Sequence, residues 1–478
     1  MLNRRSFLSG GNKVLGALAI SSVVPSFARG KAISKEISIR LKSTPALARI
    51  SDDFVGLGYE MSSAARLGLL SVHNAPYVQL VKNLGRKGVL RLGGDVSSFS
   101  KYAPEGQIIA EPKNTVLTRA SLEQLSAFLK EVGWTAIWSV NFGTGTLQEA
   151  VAETQAVASI LGENLQAIEI GNEVDLYGHY GQHPLRTPPY NYETYRAEYT
   201  VWHRAISKAV HGLRFAAPDV TDSAVDWVEK MAKDADGEVQ LLTVHYYRNG
   251  QLRGTAEELT LPDPMLRSNL QRLEMASRQS GIPWRMCETN SFFGGGKPGV
   301  SNSMLGALWT LDYMLLLAGY GCSGVNIETG VNQHGVVSSY SPIQDDGKGN
   351  NTAGVPYYGM LACATAMDGS AEVLPIDIDL HGMNLTAYAL GGSGRTRALV
   401  IVNRENSQDA EVGFADLKMG RVHALRLSAP SEFSQADVRF AGAAVDADGH
   451  WRPKKVEKVR SGKIIVPSMS AVILLQAI

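Results

Sequence analysis

The sequence predicts a (β/α)₈ barrel followed by an antiparallel β-sandwich, and three observations carry that expectation. Eight short apolar runs rich in β-branched residues recur along the first three quarters of the chain, at 54–62, 88–96, 135–143, 167–175, 214–220, 241–247, 284–290 and 321–329. Between them lie longer segments with helical periodicity, clearest at 121–130, 192–210, 264–280 and 303–317. Strand alternating with helix eight times is barrel grammar, and barrel strands, buried on both faces, read as continuous apolar runs. After about Met367 the texture changes to alternating segments at 385–390, 396–403, 422–428, 463–466 and 470–475, separated by Gly-rich and Asp-rich turns. A doubly wound open sheet is the structural alternative to the barrel.

Taken in order, the chain begins with an address. Arg4-Arg5 within Asn3-Arg4-Arg5-Ser6-Phe7-Leu8, an apolar run at 14–24 too short to span a bilayer, and the small-x-small site Ser26-Phe27-Ala28 read as a twin-arginine export signal, residues 1–28. Residues 29–50 follow, and Ile37, Ile39 and Leu41 alternate there as an extra strand for the sandwich. The barrel is expected over 51–367 and the sandwich over 368–478.

Composition narrows the function classes. The 478 residues carry 46 Lys+Arg against 46 Asp+Glu, so no uniform positive field awaits nucleic acid or anionic lipid. Three cysteines cannot form a disulfide framework. Dinucleotide, P-loop, Gly-x-Ser-x-Gly and His-Glu-x-x-His motifs are missing from the sequence, and His179 with His183 lie among Gly and Pro where helical spacing has no meaning. Hence no cofactor and no metal are expected, nor nucleic acid, a membrane after signal cleavage, or an obligate protein partner.

In a barrel the chemistry gathers at the C-terminal ends of the strands. The fourth run ends Ile170-Gly171-Asn172-Glu173 and the seventh ends Cys287-Glu288-Thr289-Asn290. Two carboxylates closing buried strands on one rim are costly unless used, and a carboxylate pair is the machinery of glycosidic cleavage. Cys287, beside Glu288, is expected to point away from the barrel mouth by strand alternation, as an inert buried thiol.

The segments Glu288-Thr289-Asn290-Ser291-Phe292-Phe293-Gly294-Gly295-Gly296 and Val244-His245-Tyr246-Tyr247-Arg248-Asn249-Gly250, together with Asn172-Glu173, resemble glycoside hydrolase family 79, the family of heparanase and of bacterial β-glucuronidases. The resemblance implies a retaining enzyme with Glu173 as acid/base and Glu288 as nucleophile, and Asn172 on the sugar 2-hydroxyl. Carboxyl groups about 5 to 5.5 Å apart would then be required. It further implies that Gly294 and Gly295 hold a uronic acid carboxylate with help from Tyr340, and that one of Tyr246 and Tyr247 bonds the nucleophile. The glycines suit that task on their own chemistry, since consecutive N–H groups form an anion-binding concavity. Glu60 and Asp95, at the ends of the first two strands, are further candidates for the sugar subsite. The expected substrate is a glucuronic acid-containing carbohydrate, cleaved from its end by an exported exo-β-glucuronidase. Two rivals remain: an endo-acting enzyme on heparan-type polysaccharide, and a non-catalytic sugar-binding protein on the same fold. Electroneutrality and the few cations near the motifs (Arg248, Arg285, Lys297) favour exo action, with the insertion at 177–192 as one pocket wall.

Overall fold

The computed structural model describes residues 36–109, 114–179, 184–329, 338–346 and 349–477. The expected export signal and His183 lie outside them. Strand β1 (Ile37–Leu41) precedes eight parallel strands that close into a barrel: β2 (Val55–Glu60), β3 (Val89–Gly93), β4 (Thr135–Val140), β5 (Leu165–Ile170), β6 (Phe215–Val220), β7 (Leu241–Gly250), β8 (Trp284–Phe293) and β9 (Val325–Glu328). Closure is made where Val325 of β9 pairs with Val55 of β2. Eight helices of nine residues or more follow among the described residues: α1 (Ala75–Asn83), α2 (Arg119–Val132), α3 (Leu147–Leu161), α4 (Tyr192–Ala209), α5 (Val225–Asp234), α6 (Pro264–Ser280), α7 (Met304–Gly319) and α8 (Val355–Met367). Their starts are written locally. Thr118 with Ser121, and Thr146 with Glu149, form reciprocal capping boxes that satisfy the first N–H groups of α2 and α3.

The barrel interior is layered. Val89, Ile137, Ala167, Ala216, Leu241 and Cys287 form an apolar floor, beneath which Arg285 lies buried, donating to Asn326 Oδ1 (2.7 Å) and the Asp53 carbonyl. Arg285 is therefore a structural plug with no path to substrate.

Beyond the barrel lie β10 (Glu372–Leu374), β11 (Ile376–Ile378), β12 (Leu385–Gly392), β13 (Arg395–Asn403), β14 (Ala410–Gly413), β15 (Val422–Ser428), β16 (Lys463–Val466) and β17 (Ser470–Gln476). They form two sheets. The small one runs β11-β1-β14-β16, so the strand before the barrel sits inside it, antiparallel to β11 and parallel to β14. The large one has β10-β12-β13-β17-β15 at its centre. Alternation along β13 explains the stacking: Leu399 and Ile401 face the small sheet, whereas Ala398, Val400 and Val402 join the barrel's own core. Among the described residues, no helix is long and apolar enough to cross a membrane.

Candidate active site

The two glutamates reach one point by different local devices, neither of them a simple strand end. β5 stops at Ile170, and Gly171 (φ 99°) turns the chain back over the barrel so that Glu173 sits in the left-handed region, φ 45° and ψ 49°. A non-glycine residue held there is strained, and such strain persists where the surroundings over-determine it. Glu288 is not terminal either. β7 and β8 run on past the rim as a ribbon, from His245 opposite Glu288 to Gly250 opposite Phe293.

That register contains a bulge. Val244 pairs with Met286 and His245 with Glu288, so Cys287 has no opposite number and both Cys287 and Glu288 turn inward. This corrects the alternation argument. Cys287 faces the barrel interior, with Sγ within 4.8 Å of carboxylate oxygens of Glu169 and Asp219. It remains fully buried, and burial pushes its thiol pKa well up, so it is no nucleophile. Asp219 is placed by a second bulge, between the pairs Thr243–Pro218 and Val244–Val220, with φ 59°.

The carboxylates of Glu173 and Glu288 and the His245 ring lie with one polar atom of each within 4.8 Å of the others. Both oxygens of Glu288 are held: Oε1 accepts from the Tyr247 hydroxyl (2.9 Å) and Oε2 from Arg91 Nη1 (2.9 Å). Glu173 Oε1 lies 3.4 Å from His245 Nδ1. Beneath them, Arg91 is fully buried and fans out, Nε to Glu169 Oε2 (2.9 Å) and Nη2 to Asn172 Oδ1 (2.8 Å) and to Asp219. Ser139 also donates to Glu169 (2.6 Å), and His245 Nε2 bonds Asp219 Oδ1 (2.8 Å).

Electrostatics follow from this packing. Burial lowers the His245 pKa, but the charges of Asp219 and Glu288 outweigh it and hold the ring well above its ordinary value. Burial would raise Asp219, and Arg91 and His245 overcome it to keep that carboxyl below its usual range. Glu169 is raised to about 7, by burial and by Asp219 beside it.

The remaining expected residues divide. Tyr247 bonds Glu288, whereas Tyr246 turns away, donating to Asp263 Oδ2 (2.8 Å) and stacking on Tyr313 at 5.4 Å, so it is no substrate contact. Tyr340 stacks on Tyr247 with ring centroids 6.3 Å apart, and Asn290 Nδ2 ties its loop down by donating to the carbonyls of Glu328 and Tyr340. Gly294, Gly295 and Gly296 all have positive φ, between 78° and 94°. A Cβ on Gly296 would come within 2.7 Å of the Tyr340 backbone nitrogen, so this glycine allows the two loops to close on each other. Among the described residues the Gly296 N–H is committed to the Phe292 carbonyl, while those of Gly294 and Gly295 take no partner. Glu60 accepts from the Val96 N–H (2.9 Å), and burial with the neighbouring charges of Asp95, Glu328 and Glu288 raises its pKa well above normal. Asp95 stands beside it in the helical turn Gly94–Ser97.

Arg91, Glu169, Asp219, His245 and Glu328 were not among the expected site residues. Each had a signal: a charged or titratable side chain inside an apolar run.

No family model matches the chain. It is similar to two fungal proteins named β-glucuronidase: one from Aspergillus niger, 25% identical over 371 residues, covering 67% of this chain and 66% of that protein, just under two thirds, and one from Neurospora crassa, 24% identical over 462 residues, covering 82% and 78%. Among solved structures, a 4-O-α-L-rhamnosyl-β-D-glucuronidase from Fusarium oxysporum superposes with a TM-score of 0.76 at 18% identity, over 92% of this chain and all of that one. An α-L-arabinofuranosidase from Thermotoga maritima superposes with a TM-score of 0.66 at 14% identity, over 92% and 99%. At these identities the structural likenesses establish the fold, a (β/α)₈ barrel with an added antiparallel β domain.

Proposed function

We propose that this chain is a retaining exo-β-glucuronidase of the family 79 type, exported by its N-terminal signal and removing terminal glucuronic acid from glycans or glycosides. The observation that carries the reading is the pair Glu173–Glu288, with one oxygen of each within 4.8 Å and different partners on each. Inverting enzymes hold their carboxyls about 6.5–9.5 Å apart to admit a water, and retaining ones about 5–5.5 Å. The curated relatives named β-glucuronidase support the substrate class.

The chemistry needs only the chain's own groups. Glu288, its carboxylate plane fixed by Tyr247 and Arg91, attacks the anomeric carbon as Glu173 gives its proton to the glycosidic oxygen and the leaving group departs as an alcohol. Glu173 then takes a proton from water, the hydroxide adds to the anomeric carbon, and the ester to Glu288 breaks. The Gly294 and Gly295 N–H groups and the Tyr340 hydroxyl form the cradle for the uronate. Glu60, whose carboxyl burial and the neighbouring acidic charges push well above its ordinary pKa, lines the sugar subsite with Asn172 and Asp95.

The test compares release of nitrophenol from the β-glucuronide and the matching β-glucoside by wild type and Glu288→Gln. Preference for the glucuronide and a loss of about 10⁴-fold or more in the variant are expected. Preference for the glucoside removes the cradle, and near-normal rates in Glu288→Gln remove the nucleophile.

A further inference from the structure

The turn that presents Glu173 is strained, and the strands beneath it do little to hold it. β5 pairs with β6 at Ile168–Phe215 and Glu169–Ala216, and the ladder ends there, short of Ile170 and Val220 where the two strands stop. Gly171 and Glu173 then take positive φ, 99° and 45°, so this backbone has to be held from outside. Asp175 does so. It is buried in the short helical turn Val174–Leu176; its Oδ1 accepts the Thr221 N–H (3.0 Å) and its Oδ2 the Thr221 hydroxyl (2.7 Å), a two-pronged bridge to the first residue after β6. With that hydroxyl hydrogen given to Asp175, the Ser223 hydroxyl, 2.6 Å away, is left to donate to Thr221 Oγ1, which fixes the rotor. Within the turn Leu176 donates its N–H to the Glu173 carbonyl (2.9 Å), so a displacement of Asp175 passes straight to Glu173.

We propose that Asp175 is a positioning residue, which holds the Glu173 carboxyl where the glycosidic oxygen must receive its proton. The inference rests on the reading of Glu173 as the acid/base of a glucuronidase and deepens it. The end of β6 is the right anchor, because it also carries Asp219, which bonds His245 Nε2 (2.8 Å), and His245 Nδ1 stands 3.4 Å from Glu173 Oε1. The backbone of Glu173, through Asp175 and Thr221, and its carboxyl, through His245 and Asp219, are thus referred to one strand end. Arg91 bonds both Asp219 and Glu288, so the same frame places the nucleophile. Without the bridge, Glu173 is free to relax toward an ordinary φ. That rotation swings its Cα–Cβ bond and carries the carboxyl away from its partner, whereas Glu288, held by Tyr247 and Arg91, stays in place.

Leaving-group dependence tests it, because a misplaced acid matters only where the departing oxygen needs a proton. Phenyl β-glucuronide needs one, and 2,4-dinitrophenyl β-glucuronide does not. Asp175→Ala should lose about 10- to 100-fold in kcat/KM on the phenyl substrate and little on the dinitrophenyl one. On the latter its kcat should fall, since Glu173 must also activate the water that frees Glu288, and azide should restore it: azide attacks the anomeric carbon, the ester to Glu288 breaks, and β-glucuronyl azide leaves with no proton transferred. Thr221→Val, which keeps the N–H prong and deletes the hydroxyl, should show the same pattern at several-fold, and Asp175→Asn, which keeps an oxygen for that N–H, should retain most of the phenyl activity. Equal losses on the two substrates, a fall in kcat that azide does not reverse, or normal phenyl hydrolysis by Asp175→Ala overturns the proposal. Should that variant not fold, Thr221→Val is judged by the same criteria. Glu173→Ala separates this inference from the reading beneath it: the same pattern is expected at about 10²- to 10⁴-fold on the phenyl substrate. If Glu173→Ala treats both substrates alike, or wild type cleaves neither, that reading falls and this one with it.

Discussion

Tyr247 and Arg91 hold the two oxygens of Glu288, and their removal should separate catalysis from stability. Tyr247→Phe keeps the ring contacts with Phe293 and Tyr340 and deletes one donor to a carboxylate, a bond worth about 1.5–3 kcal/mol. We expect kcat/KM on a nitrophenyl β-glucuronide to fall about 10- to 100-fold with the melting temperature nearly unchanged; an equal fall in stability would make Tyr247 a packing residue. Arg91→Met does the reverse experiment. The guanidinium is the shared partner of the buried Glu169 and Asp219 and of Glu288, so its loss leaves uncompensated charge and should cost about 3–5 kcal/mol in denaturant unfolding. Adding Glu169→Gln should recover part of that loss, because one fewer carboxylate then lacks a counter-charge; no recovery would mean the cost is steric. These residues also mark how far the sequence could be read. Glu173 and Glu288 were legible because carboxylates ending apolar runs attract notice, and Arg91, Glu169 and Asp219 obeyed the same rule deeper in their runs, where attention to strand ends passed over them.

At the scale of elements, all eight barrel strands were legible from their apolar runs, but side-chain direction was not wherever a bulge intervenes. Period-two alternation sent Cys287 outward and could not choose between Tyr246 and Tyr247; one extra residue in β8 turns Cys287 in, and only pairing with β7 reveals it. Helix-to-strand packing yields a further test. Glu153 of α3 is buried and accepts from Trp138 Nε1 of β4 (2.7 Å), and burial raises its pKa from 4.5 to about 7. A carboxyl raised in the folded state binds its proton more tightly there than in the unfolded chain, so its contribution to stability falls as pH rises from 4.5 to about 7 and stays lost above. That interval corresponds to about 3 kcal/mol at most. Glu153→Gln keeps an oxygen for Trp138 and has no charge to bury, so its stability relative to wild type should grow between pH 5 and pH 8. A difference independent of pH, measured by denaturant unfolding at both values, would place the Glu153 pKa near its ordinary range.

Over the whole molecule, the sandwich is a structural half of the barrel. Helices α7 and α8 are buried nearly all round, a pattern that requires cover on both sides, and the large sheet supplies part of it through the Ala398, Val400 and Val402 face of β13. The contact is also polar and specific. Asp312 of α7 accepts from Arg404 (2.6 Å), from the Tyr388 hydroxyl (2.8 Å) and from Thr386, all on the sandwich side. Higher up, Met304 and Leu305 donate their N–H groups to the carbonyls of Ser434 and Glu432, so a sandwich loop caps the helix that begins just beyond Gly294, Gly295 and Gly296. Chain entry reinforces this, since β1 lies in the small sheet before the barrel starts. Shared core, shared ion pair and shared helix cap together predict one cooperative unfolding transition for barrel and sandwich. Asp312→Ala leaves the buried Arg404 without its carboxylate, a loss of about 3–5 kcal/mol. In a unit of this kind the loss moves the whole calorimetric peak to lower temperature without splitting it. Loss of nitrophenyl glucuronide activity should follow the same curve, because the anchor of the helix after Gly296 melts with the sheet. A second peak, or activity that outlasts the first, would show that the sandwich unfolds alone.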